Sequence, residues 1–143
     1  MVSEGLQARS ARVKRTPRSP GLVGGYWIAT ALFCLQIGFT AYAQLKLPQV
    51  SKAFIHLGFP PYFRVELSWA KFAGIVALLA PVPGRIKEWA YAGFAITLFS
   101  ALVAHVSVGD GVEAWGWAAG TAVLWAGSYA LWRLLEGARA LQP

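Results

Sequence analysis

Four polar side chains set within apolar runs, Lys71, Glu88, Tyr91 and Gln36, have the types and spacing to do chemistry. Lys71 stands nine positions from either end of the run 62–80, roughly 13 Å from each end at the helical rise. A lysine that deep in a bilayer costs about 2.5–3.5 kcal/mol on insertion scales, so it must face protein and find a partner. Counting inward from the Pro81–Gly84 turn puts Lys71 level with Tyr91 or Ala92. Glu88 then lies roughly 6 Å nearer the turn, within reach along the lysine stem. Glu88 and Tyr91 are three apart and share a helix face, and Gln36 falls at a similar depth in another run. The expected site is an intramembrane polar cluster of Lys71, Glu88, Tyr91 and Gln36. Glu66 is the rival partner, although five helical positions turn it about 140° from Lys71. Such a cluster is either a proton-coupled or ligand-binding site or an ion pair that fixes helix register, and both readings stay open.

A second candidate lies at the outer face: His105, closing the third apolar run, with Asp110 five positions on. A lone histidine at an interface most simply serves as a solvated or hydrogen-bonded structural group. His56 and His105 are the only imidazoles, and the single thiol, Cys34, sits at mid-membrane depth in a different run. One cysteine also excludes dithiol–disulfide chemistry carried by this chain alone. The sequence has no G-x-G-x-x-G, P-loop, nucleophile elbow or H-E-x-x-H. No catalytic residue, cofactor-binding residue or metal ligand is assigned.

The elements that must position these groups follow from composition. Apolar residues make up 57% of the 143 positions and charged residues 13%, against about 45–50% and about 25% in soluble domains. The reading is all-α: an integral membrane four-helix bundle with spans at about 26–45, 62–80, 86–106 and 115–135. Together they form one domain, 21–136. Residues 1–20, rich in Ser, Arg and Pro, read as a disordered basic cytoplasmic tail, and 137–143 as a short C-terminal tail. Ala41-Tyr42-Ala43 resembles a signal cleavage site, but the preceding run is long for a signal and more apolar runs follow it. Between Lys46 and Pro61, Val50, Phe54 and Leu57 share a face opposite Gln49, Ser51 and Lys52, which predicts a short amphipathic helix on the membrane surface.

Charge sets the expected direction. Arg9, Arg12, Lys14, Arg15, Arg18, Arg85, Lys87, Arg133 and Arg139 fall on the side of the two termini, and Lys46, Lys52 and Arg64 on the other. That bias puts both termini in the cytoplasm, and the expected location is the cytoplasmic (inner) membrane, as a multi-pass chain. Tyr26, Trp27, Trp89 and Trp132 mark the inner boundary, and Tyr42, Tyr62, Trp115 and Trp117 the outer. The net charge of +7 is concentrated around the spans and does not mark a nucleic-acid binder. The expected partners are the lipid bilayer and a protein partner or second copy, through small-residue faces such as Gly116/Gly120, Ala70/Gly74 and Gly93/Thr97/Ala101.

Several stretches together resemble the DoxX-like membrane proteins: Leu57-Gly58-Phe59-Pro60-Pro61-Tyr62, Lys71-Phe72-Ala73-Gly74, Lys87-Glu88-Trp89-Ala90-Tyr91-Ala92-Gly93-Phe94, Ala104-His105 and Gly109-Asp110. The resemblance covers about Tyr26 to Leu134, and it implies a four-helix membrane bundle. Its functional implication is thinner. The family is named for a subunit of an archaeal thiosulfate:quinone oxidoreductase; other members are linked to redox-stress membrane complexes, and distant vertebrate relatives assist assembly of membrane receptors. No quinone-binding residue carries over to a position here. The expected function is a non-catalytic accessory or assembly subunit of a membrane complex. The alternative is a quinone-binding membrane subunit of an oxidoreductase complex, and only under it is quinone a cofactor.

Overall fold

A computed structural model describes residues 19–140, and the chain there is all-helical. The basic tail expected at 1–20 lies almost wholly outside the described residues, as do the last three positions. Five helices follow one another: α1 Pro20–Lys46, α2 Pro48–His56, α3 Pro61–Leu79, α4 Gly84–Ser107 and α5 Val112–Ala140. Residues 137–140, read from sequence as tail, continue α5.

Local chemistry sets the helix ends. The Leu22 amide donates to Ser19 Oγ at 3.2 Å, capping α1 one residue before Pro20. Pro48 and Pro61 stand at the first positions of α2 and α3, where a missing N–H costs no helical bond. Two glycines take positive φ, Gly58 at 80° and Gly109 at 78°. Each lets the chain fold back over the helix it ends: the Phe59 amide donates to Phe54 O at 2.9 Å and the Asp110 amide to His105 O at 3.0 Å. The ammonium of Lys87 donates to Leu78 O at 2.6 Å and satisfies a carbonyl at the end of α3.

The four long helices run alternately up and down. α1 packs on α3 and α5, α4 packs on α3 and α5, and α2 lies against α1 and α3. The N-terminal part of α1 and the C-terminal part of α5 share one end of the bundle, since Gly25 approaches Leu131. Phe33, Ile37, Leu78, Tyr91, Phe94 and Trp132 fill the centre. Phe33 and Phe94 meet edge to face, 5.1 Å between centroids at 90°. Gly74 makes room for that ring: a Cβ there would stand 2.5 Å from Phe94 Cζ.

The outer surface carries many large apolar side chains. Large apolar side chains stand exposed on every long helix, among them Leu35, Trp69, Val76, Phe99 and Val123. The interior holds Thr30, Gln44, Ser68, Lys71, Thr121 and Ser128. Two helices, α1 and α4, are long and apolar enough to cross a membrane.

Candidate functional site: a polar seam in the bundle and a histidine–aspartate clamp at its end

α1 carries polar residues along its inward side, and Thr30, Gln36, Thr40 and Gln44 each find a partner on a neighbour. Thr30 Oγ1 lies 2.8 Å from Ser128 Oγ on α5, and Tyr91 Oη of α4 reaches the same Ser128 oxygen at 2.7 Å. The indole N–H of Trp125 donates to Tyr91 O at 3.0 Å, fixing the turn that bears the phenol. Further along, Gln36 Nε2 donates to Thr121 Oγ1 at 3.3 Å. Thr40 comes next: Lys71 Nζ donates to its Oγ1 at 3.3 Å, and that hydroxyl passes its own hydrogen to Ile37 O at 2.8 Å. At the far end Ser68 Oγ donates to Gln44 Oε1 at 3.0 Å, and the Arg64 guanidinium donates to Gln44 O. Among the described residues, two buried groups remain without a partner, Tyr26 Oη and Arg64 Nε.

The expected four-residue cluster is therefore divided. Lys71, Tyr91 and Gln36 all belong to the seam, but to three separate contacts, and Glu88 is outside it. The Glu88 carboxylate accepts from Arg133 Nη1 at 2.9 Å on an open face, with side chains 49% and 55% exposed. The Lys71–Glu88 ion pair is not made, and neither is the rival pair, since Glu66 is exposed on α3. Two causes separate Lys71 from Glu88. The contact of Gly74 with Phe94 sets Lys71 level with residues near Thr97, so Glu88 lies about 9–13 Å further along the axis. Helical side chains also tilt toward their own N-terminus, which on α3 carries the lysine stem toward the α2 end and away from Glu88.

Lys71 is 7% exposed, yet it lines a groove of about 330 Å³ between α3 and α4, together with Ala70, Gly74, Ala90, Gly93 and Trp89. It is the one charged side chain among the residues lining that groove.

The second site is more compact. His105 Nδ1 donates to Asp110 Oδ2 at 2.6 Å, and His56 Nε2 donates to Asp110 Oδ1 at 2.9 Å. A carboxylate only accepts, so both nitrogens carry hydrogen. The bonds from His105 and then His56 hold the Asp110 carboxyl below its ordinary range. Sequence reasoning pairs His105 with Asp110 and leaves out His56. The available signal is positional: His56 ends the surface helix, His105 ends α4 as its last-turn basic residue, and the chain has no other histidine. The clamp ties α2 to the α4–α5 loop. Among the described residues, no three His, Cys, Asp or Glu side chains are placed to hold a metal ion.

Residues 28–132 match the sequence model of the DoxX-like family. The chain belongs to that family. It matches no curated protein and no solved structure. Both polar sites of this DoxX-like chain fall within the matched region. Family membership and the two long apolar helices together place it among membrane proteins.

Proposed function

We propose that this DoxX-like protein spans the cytoplasmic (inner) membrane four times, with both termini in the cytoplasm, and acts as a non-catalytic accessory or assembly subunit of a membrane complex. The observation that supports it is the inverted distribution of polarity. Hydroxyls, amides and a lysine hold the helices together inside, while large apolar side chains stand outside on all four long helices. In hydrocarbon that arrangement satisfies polar groups and needs no polar surface. The seam's hydroxyls and amides are engaged in interhelical hydrogen bonds, which suits a scaffold better than a reaction centre. Four spans with the charge bias Arg9–Arg18, Arg85 and Lys87, Arg133 and Arg139 against Lys46, Lys52 and Arg64 give the direction.

The quinone-binding alternative draws on one feature, the presence of Lys71 among the residues lining the α3–α4 groove. Purification of the tagged protein from its native membrane, with identification of co-purifying proteins and of bound quinone, separates the readings. A stoichiometric membrane partner without quinone supports the accessory role. Bound quinone together with a redox partner replaces it with the alternative, and a protein recovered alone removes the accessory role. C-terminal reporter fusions active in the cytoplasm are expected, and activity only in the periplasm overturns the topology.

A further inference from the structure

Lys71, which lines the groove between α3 and α4, has no acid partner among the described residues. Lys71 makes a single, long hydrogen bond to Thr40, and that hydroxyl already spends its own hydrogen on Ile37 O. None of the ion pairs among the described residues includes Lys71. The described carboxylates stand near helix ends or in a loop. Glu88 is taken by Arg133, Asp110 by the two histidines and Glu136 by Arg139. Glu113 opens α5, and Glu66 lies exposed about 7 Å from Lys71 along the axis toward the α2 end.

The groove also has the form of a helix seat. Its lining runs from Leu67 to Ala77 on α3 and from Ile86 to Thr97 on α4, about 15–16 Å on each side, or three helical turns. Ala70, Ala73 and Ala77 stand across from Ala90 and Gly93, and small residues on both walls let a third backbone come close. A Cβ added at Gly93 would meet nothing within 4 Å, so this wall is open rather than packed. Trp89, 82% exposed, offers a large aromatic face beside it. Lipid headgroups lie at the membrane boundaries, while Lys71 sits eight residues, about 12 Å, from the Leu79 end of its helix. A headgroup does not reach it, and a side chain on a spanning helix does.

We propose that the α3–α4 groove seats a transmembrane helix of a different protein, one that carries Asp or Glu at the depth of Lys71 and accepts the amine hydrogens that Thr40 leaves free. The inference names the docking face of the accessory subunit and rests on that reading.

The test places a photo-crosslinking amino acid at Ala73 or at Gly93 in the tagged, full-length protein in its native membrane and maps the adducts by mass spectrometry. The expected adduct is a membrane helix with Asp or Glu within one turn of the crosslinked position. K71E should lower recovery of that partner about tenfold, and replacing the partner's acid by Lys should restore it. Gly93→Leu fills the groove on its open side and should lower recovery similarly while leaving the thermal midpoint in detergent unchanged. It keeps the test decisive should K71E fold poorly. A partner that co-purifies but never crosslinks in the groove, or is recovered undiminished with Gly93→Leu, overturns this inference and leaves the accessory role standing. Adducts confined to lipid, quinone or a second copy overturn the inference as well. No co-purifying partner at all overturns both.

Discussion

The Tyr91 hydroxyl meets the Ser128 hydroxyl at 2.7 Å where α4 crosses α5. Because Thr30 reaches the same serine from α1, one small side chain joins three helices at the centre of the bundle. In lipid, where apolar surface gains little by burial against other apolar surface, such contacts carry more of the specificity of packing than they do in water. Ser128 suits the position because its size lets the helices approach and its oxygen both donates and accepts.

Removal of that oxygen should be felt on two sides. Ser128→Ala leaves the buried Tyr91 and Thr30 hydroxyls short of a partner and should cost about 0.5–2 kcal/mol in detergent unfolding. Tyr91→Phe should cost less once Ser128 is already alanine. Strictly additive effects in the double mutant would show that the two hydroxyls do not interact.

Gly74 and Phe94 give a steric prediction. Gly74→Ala sets a methyl group 2.5 Å from the Phe94 ring and should destabilise the protein by about 1–3 kcal/mol. Phe94→Leu in the same chain should recover part of that loss. Gly93→Ala, one residue from Phe94 but facing open space, should change stability by less than about 0.5 kcal/mol. Equal effects at the two glycines would contradict the packing described for Gly74.

The histidine–aspartate clamp predicts a pH dependence with a definite sign. The Asp110 carboxyl lies below its ordinary value in the folded protein because His105 and His56 donate to it. Folding is thus favoured by the carboxylate at pH values above about 3.9, the unfolded value, and that contribution is lost as pH falls through the lower folded value. Asp110→Asn should remove this part of the acid-side loss. Hydrogen exchange across α2, residues 48–56, should quicken in Asp110→Asn and in His56→Ala at neutral pH. An unchanged acid limb together with unchanged α2 protection would refute the clamp.

Lys71 and Glu88 should behave independently. Lys71→Met and Glu88→Gln are expected to add within about 0.5 kcal/mol in unfolding experiments. Glu88→Gln alone should cost under about 1 kcal/mol, because its partner Arg133 is more than half exposed and the pair is screened. A coupling well above that between Lys71 and Glu88 would restore the ion pair that the geometry removes.

The helices were legible because they depend on neighbours in sequence, although the first begins at Pro20 rather than about 26 and the last runs to Ala140 rather than about 135. Proline at the openings of α1, α2 and α3, glycine at the turns after α2 and α4, and long apolar runs between them act within a few residues. The short surface helix between Lys46 and Pro61 was readable from its apolar face for the same reason, and α2 occupies Pro48–His56. The DoxX-like motifs were legible too, since a family resemblance needs only residue identity and order.

What the sequence could not settle is which polar groups meet across helices. Depth counting assumed an axial register and ignored the tilt of side chains toward each helix's N-terminus, and together these move Lys71 from Glu88 to Thr40. Likewise, His56 joins Asp110 across 54 positions of chain because Gly109 turns the loop back and α2 lies against the same end. Sequence by itself determined the helical elements, the apolar exterior and the family. Only the tertiary structure, through rotation and register of each helix about its own axis, decided that Lys71 meets no acid among the described residues and that two histidines share one.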